Sequence, residues 1–145
     1  MKSKNKIFLG TIILLSLING YYFIVPYFKS SEKNMENETA ELSVSSNKIV
    51  NAYTINEEKS NILYAGKIIE VTGFVKEITF LNNRNTIILN SNTQTFGEIC
   101  DVNPNQKGKI KQLKENQKIR VKGICEGFLK DVILLNCSID LTPNE

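Results

Sequence analysis

Apolar and polar residues alternate most regularly over residues 118–137, KIRVKGICEGFLKDVILLNC. In the first half, alternate apolar residues from Ile119 onward share one face, and basic residues from Lys118 onward share the other. A break around Gly127 separates this run from a second alternating run that continues to Leu141. Such a pattern predicts an antiparallel hairpin with one apolar face and one solvated face.

Shorter β-rich runs precede this hairpin. Residues 67–80 form a long run that is interrupted by Gly73, which predicts a bent strand. Residues 86–90 and 95–102 predict two further strands, and residues 109–113 predict one helical turn. Five strands with a helix between the third and fourth are typical of the OB-fold, a small and partly open Greek-key barrel. We therefore predict a mainly β protein built on a five-stranded OB-fold barrel with short helices.

The segment ahead of the first strand has helical spacing. Ile49, Val50 and Tyr53 fall on one helical face. We predict that a helix here covers an open end of the barrel, because an apolar helical stripe must be buried against another element.

The N-terminal third has a different composition. Residues 7–25 are nineteen residues without a charge, and about twenty apolar residues can span a bilayer as a helix. A cleaved signal peptide is the alternative, although no A-x-A-like cleavage site follows the run. We predict a basic cytoplasmic N-terminus over 1–6, a transmembrane signal anchor over 7–28, a flexible linker over 29–46 and the OB-fold domain over 47–141.

This organisation predicts where the protein resides. The three lysines that precede the apolar run favour a cytoplasmic N-terminus, so the remainder would be exported. The linker is rich in Ser, Glu, Asn and Lys, which is typical of a solvated tether. We therefore expect a bacterial single-pass membrane protein whose OB domain lies on the extracytoplasmic (periplasmic) side.

The charge and the available side chains narrow the function. The chain has a formal charge of +3, but from residue 30 onward 14 basic residues face 15 acidic ones. A near-neutral domain argues against a general nucleic-acid-binding surface. The chain has no His and only three Cys without a CxxC pair, so we predict no metal site, no cofactor and no enzymatic activity.

One local exception is a basic cluster over residues 107–122, in which seven basic residues accompany a single acid, Glu115. It could track phosphates. The alternative, which we favour, is the solvated face of a helix and an edge strand, where Lys discourages edge-to-edge pairing.

Short motifs follow one another in a characteristic order between residues 64 and 137. They are Tyr64-Ala65-Gly66-Lys67, Val71-Thr72-Gly73, Cys100, Val121-Lys122-Gly123-x-Cys125-x-Gly127, Asp131-Val132 and Cys137. This order, over roughly residues 47–141, resembles the tRNA_anti-like family of OB-fold domains. Members of that family commonly follow a signal sequence or a lipid anchor. The chain has no Cys to accept a lipid after its apolar run, which favours a plain helical anchor.

The resemblance also implies a cysteine pairing. In an OB barrel of this family the third and fifth strands are parallel neighbours, which would bring Cys100 close to Cys137. We expect a disulfide between them, with Cys125 free. Three reduced, buried thiols are the alternative, since free Cys is among the most buried residue types.

OB domains usually bind ligands along the second and third strands and the adjoining loops. The candidate residues there are Phe80, Arg84, Phe96, Phe128 and Lys130. Aromatic rings can stack on bases or sugars, and Arg can contact a phosphate, although the phenylalanines could equally belong to the core. We predict a membrane-tethered module for nucleic acid or oligosaccharide. The alternative is a non-catalytic assembly protein that binds another envelope protein. The sequence leaves the oligomeric state open.

Overall fold

The computed structural model describes residues 15, 16, 18, 20, 34–81, 84–93 and 95–141. The chain divides into two units, residues 1–32 and 33–145. In the first unit the four described residues are helical. Among the residues described, no helix is long and apolar enough to cross a membrane. The predicted N-terminus (1–6), most of the predicted anchor (7–28) and the first residues of the predicted linker lie outside them.

The described residues of the second unit form six strands and three short helices. Along the chain they are β1 (Leu42–Ser45), α1 (Ser46–Ile55), α2 (Glu57–Tyr64), β2 (Ile68–Leu81), β3 (Arg84–Leu89), β4 (Glu98–Val102), a 3-10 turn (Pro104–Gln106), α3 (Lys107–Ile110), β5 (Lys118–Leu129) and β6 (Asp131–Asp140).

Strands β2 to β6 close into a barrel, which confirms the predicted five-stranded OB-type architecture. The strand order is β1-β2-β3-β4-β6-β5, and an additional β2–β5 pairing closes the barrel. The β4–β6 pair is parallel, whereas β2–β3, β3–β4, β5–β6 and β2–β5 are antiparallel. The predicted hairpin over residues 118–137 is therefore the β5–β6 pair.

Strand β2 bends as predicted and serves both halves of the barrel. Its first half pairs with β5 up to Phe74, and its second half pairs with β3 from Val75 onward. The register shifts between Val75 and Glu77. A Cβ atom on Gly73 would lie 3.0 Å from the Ser46 Cβ, so this glycine lets α1 approach the bend closely.

Helix α1 closes one end of the barrel, as the apolar spacing predicts. Ile49, Val50 and Tyr53 are buried in the same core cluster as the inward residues of the strands. The Ser45 side chain accepts a hydrogen bond from the Lys48 backbone N–H and caps the first turn. The helix is thereby fixed at its start by a cap and along its length by packing.

The prediction of a flexible linker over 29–46 is wrong for residues 34–46. Strand β1 pairs in parallel with β2 from Leu42 to Ser45, and the Met35 side chain is buried. Lys122 Nζ donates hydrogen bonds to the carbonyl oxygens of Glu36 (3.2 Å) and Glu38 (2.6 Å). The ordered unit therefore begins well before residue 47, and part of the basic cluster holds this N-terminal segment on the barrel.

Candidate ligand-binding site

The structure does not bring the five predicted ligand-binding residues into one site. Phe80 and Arg84 lie at the end of the β2–β3 hairpin where the chain passes from β2 to β3. Phe96, Phe128 and Lys130 lie near the opposite end of β3, where Gly97 N donates to Asp131 Oδ1 (2.7 Å). The five residue steps of β3 separate these two groups by about 16 Å along the strand.

Phe80 and Arg84 lie on opposite faces of the hairpin. Phe80 pairs with Asn85, so its side chain shares the face of Asn85 rather than that of Arg84. Both are open to solvent, because Phe80 is 63% exposed and the Arg84 side chain is 72% exposed. Arg84 Nη2 lies 3.5 Å from Asp101 Oδ2. An exposed ion pair of this kind contributes little to stability, so Arg84 remains able to contact a ligand.

Phe128 packs against α1, and Phe96 packs against Phe128. The Phe128 ring stacks on Tyr53 with centroids 5.5 Å apart and planes 12° apart, and Phe96 lies 5.8 Å from Phe128. The Tyr53 hydroxyl lies 3.6 Å from Cys125 Sγ, and burial raises the pKa of Tyr53. These rings therefore help to hold the helix on the barrel, and neither presents a free stacking face like that of Phe80.

Lys130 forms the turn between β5 and β6. It is exposed, adopts a left-handed backbone conformation with φ of 69°, and forms no ion pair with any residue that the structure describes. The adjacent Leu129 is 79% exposed. This turn is accessible, but it is remote from Phe80 and Arg84.

The structure contains reduced cysteines in place of the predicted Cys100–Cys137 disulfide. Cys100, Cys125 and Cys137 are free thiols with no exposed surface. Cys100 and Cys137 are nevertheless neighbours on the parallel strands β4 and β6, and their hydrogen bond raises the pKa of Cys100. The three thiols match the alternative of small buried hydrophobic side chains.

Glu98 is a buried acid that the sequence analysis missed. It has no exposed surface, and burial raises its pKa to about 8. The Cys100 thiol donates to Glu98 Oε1 at 3.7 Å, while Glu98 Oε2 and the buried Ser46 hydroxyl each lack a hydrogen bond of regular geometry. The strand alternation that places the Cys100 side chain in the barrel interior also places the Glu98 side chain there. This alternation is the sequence pattern from which the burial of Glu98 could have been predicted.

The outer face of the central strands carries an apolar row. Ile88 pairs with Ile99, and Ile99 pairs in turn with Ile133 on β6. All three side chains are partly exposed. Within the part of the chain that is described, no group of three or more His, Cys, Asp or Glu residues could hold a metal ion.

The sequence profile of the tRNA_anti-like family matches residues 1–139. This chain belongs to the tRNA_anti-like family. The match extends to the N-terminus, well beyond the 47–141 range over which the motifs resemble the family. No curated protein sequence matches this tRNA_anti-like chain.

The solved structures that resemble this tRNA_anti-like protein have low sequence identity to it. A lipoprotein of Klebsiella pneumoniae, provisionally described as nucleic acid-binding, superposes with a TM-score of 0.56 at 14% identity, over 67% of this chain and 90% of that chain. A chain of the Stn1–Ten1 complex of S. pombe gives 0.42 at 12%, over 50% and 56%. An OBody bound to hen egg-white lysozyme gives 0.42 at 13%, over 53% and 84%. At this identity the first of these supports the fold alone.

Proposed function

We propose that this protein is a non-catalytic OB-fold module, tethered to the membrane by residues 7–28, that binds single-stranded nucleic acid on the extracytoplasmic side. The uncharged N-terminal run and the lysines before it support the tether and its orientation. The barrel supports the binding role, because OB barrels bind oligonucleotides and oligosaccharides along their second and third strands and the adjoining loops. The structural relative from Klebsiella, which is itself described as nucleic acid-binding, is consistent with this choice.

One observation favours nucleic acid for this surface. Exposed Phe80 and exposed Arg84 lie on the two faces of the same hairpin end. A single strand that crosses the hairpin end could stack a base on Phe80 and bring a phosphate to Arg84. Base stacking on an aromatic ring tolerates any sequence, so we expect little sequence specificity.

The test measures the binding of labelled oligo(dT) to the full chain in detergent micelles by fluorescence anisotropy. We expect Phe80→Ala to cost about 1–3 kcal/mol, which is a roughly five- to 150-fold loss of affinity. We expect Arg84→Ala to lower the slope of log K against log salt by about 0.7, because one phosphate contact is lost.

Lys111→Ala is the matched control for the loss of charge, because Lys111 is exposed, follows α3 and is not part of the β2–β3 hairpin. It should leave the affinity nearly unchanged. Equal binding by wild type, Phe80→Ala and Arg84→Ala would contradict the proposal, as would an absence of binding at about 50 mM salt.

The apolar row favours a second candidate function, namely an assembly protein that docks another envelope protein. Partly exposed aliphatic rows are more typical of protein contacts than of phosphate-tracking surfaces. Ile88, Ile99 and Ile133 would form the centre of such a contact. Failure to bind nucleic acid, together with co-purification of one envelope protein that is lost in Ile99→Ser, would favour this function over the first.

A further inference from the structure

A polar groove lies between the first turns of α1 and the β3–β4 loop, and we call it the α1 groove. It consists of two adjoining hollows of about 510 Å³ and 460 Å³ that share Ser45, Asn47, Ser91 and Asn92. Each volume falls within the usual range for small-molecule sites. None of the five residues that the sequence predicted for ligand binding lines either hollow.

The α1 groove is lined by carboxamides. They belong to Asn47, Asn51, Asn90, Asn92 and Asn116. All five residues are exposed, and none of these side chains hydrogen-bonds to a residue that the structure describes. A carboxamide offers two donors and an acceptor side by side, which matches the paired hydroxyl groups of a sugar ring.

The backbone holds part of this lining in place. Asn90 N donates to the Phe74 carbonyl oxygen (2.8 Å), and Asn116 N donates to the Val75 carbonyl oxygen (2.7 Å). Within the β3–β4 loop, the Ser91 hydroxyl hydrogen-bonds to the Phe96 carbonyl oxygen. The carboxamides of Asn90 and Asn116 therefore project from fixed positions beside Phe74, and little ordering of the backbone is needed on binding.

An aromatic ring and two cations complete the groove. Phe74 is 52% exposed and could stack on the apolar face of a sugar ring. Lys118 lines the larger hollow and Lys48 the smaller, while neither Asp nor Glu is among the residues that line them. Two lysines are few for a phosphate backbone, but they suit a sugar chain that carries carboxylates.

We propose that the α1 groove binds an oligosaccharide, and that this site is separate from the nucleic-acid surface at Phe80 and Arg84. The carboxamides would bind hydroxyl groups, Phe74 would stack on a ring, and the two lysines would favour acidic sugars. This proposal goes beyond the proposed function and does not depend on it.

The test uses the full chain in a detergent without a sugar headgroup, with hyaluronan tetrasaccharide as the acidic probe and chitotetraose as the neutral one. Titration calorimetry gives the affinity, and the side-chain amide signals in ¹⁵N NMR spectra locate the site. We expect the acidic probe to shift asparagine side-chain signals, and Phe74→Ala and Asn92→Ala each to weaken its binding roughly tenfold. We expect weaker binding of the neutral probe.

Two variants serve as matched controls. Phe80→Ala removes an exposed ring from the other half of β2, and Asn105→Ala removes an exposed carboxamide outside the groove. Both should bind the acidic probe as wild type does. The proposal is overturned if neither saccharide binds, or if the groove variants and the controls bind the acidic probe equally. It is also overturned if oligo(dT) displaces the saccharide and Phe74→Ala abolishes the binding of oligo(dT). Loss of oligo(dT) binding alone would concern only the proposed function.

Discussion

At the scale of single residues, Glu98 is an acid with no exposed surface. Burial raises its pKa from an ordinary 4.5 to about 8, and the nearby Cys100 and Ser46 side chains only partly oppose this shift. Because the folded state then binds the proton more tightly than the unfolded state, acid favours folding. The contribution of Glu98 to stability is therefore fully present below pH 4.5 and is lost as the pH rises toward about 8.

Glu98→Gln tests this linkage. A glutamine is neutral in both states, so the free energy of unfolding of the variant should lack the decrease of about 1.4 kcal/mol per pH unit that Glu98 contributes. Urea unfolding of both proteins between pH 5 and pH 8 should show the variant gaining stability relative to wild type as the pH rises. Cys100 and Cys125 do not interfere, since the pKa of each is raised above the usual value of 9.0. Parallel curves would contradict a buried, protonated Glu98.

The sequence pattern predicts the burial of some candidate side chains and fails for others. Alternation correctly assigns Cys100 and Cys125 to the barrel interior. In β6 it would place Ile133 on the face of Cys137, but Cys137 is buried and Ile133 lies on the outer face, because the alternation breaks at Asn136, which has a φ of 55°.

Alternation cannot show that Phe128, at the end of β5, packs on Tyr53 of α1, because that contact joins elements far apart in sequence. Ring exposure therefore depends on tertiary packing, and of the three phenylalanines proposed for binding, Phe80 is the one left largely exposed.

At the scale of elements, the barrel strands could be predicted and β1 could not. Strands β2 to β6 have alternating apolar positions or flanking turn residues that sequence reasoning can detect. Strand β1 has four residues, LSVS, with two apolar side chains, in a polar and charged segment. Strand β1 is held by pairing with β2, and the segment before it is held by hydrogen bonds from Lys122 to backbone carbonyl oxygens. Neither interaction leaves a local sequence pattern.

Met35→Ala tests whether the segment before β1 is part of the folded unit. Met35 is 1% exposed, and truncating a buried methionine typically costs about 2–5 kcal/mol. We expect a loss of this order in the free energy of unfolding, measured by urea denaturation. Asn37→Ala, two positions away at an exposed residue, is the control and should change stability by less than about 0.5 kcal/mol. Equal stability of the two variants would support a free linker.

At the scale of the whole molecule, the fold could be predicted more completely than the binding surface. Strand order and the connecting helix define the OB barrel, because each depends on local patterns and short connections. The location of a site depends instead on how loops and helices meet across the barrel. Residues of the α1 groove come from α1, β2, the β3–β4 loop and the turn before β5, among other elements. None of these segments has a sequence motif that indicates a binding site.

The buried thiols make the predicted orientation of the chain testable in intact cells. Because Cys100, Cys125 and Cys137 have no exposed surface, a membrane-impermeant maleimide should not label the folded wild-type protein. Lys111→Cys introduces one thiol at an exposed position beyond α3. If residues 7–28 anchor the domain outside the cytoplasm, this variant should be labelled without cell lysis. Labelling that requires lysis would place the barrel in the cytoplasm, and labelling of the wild type would show that the barrel opens.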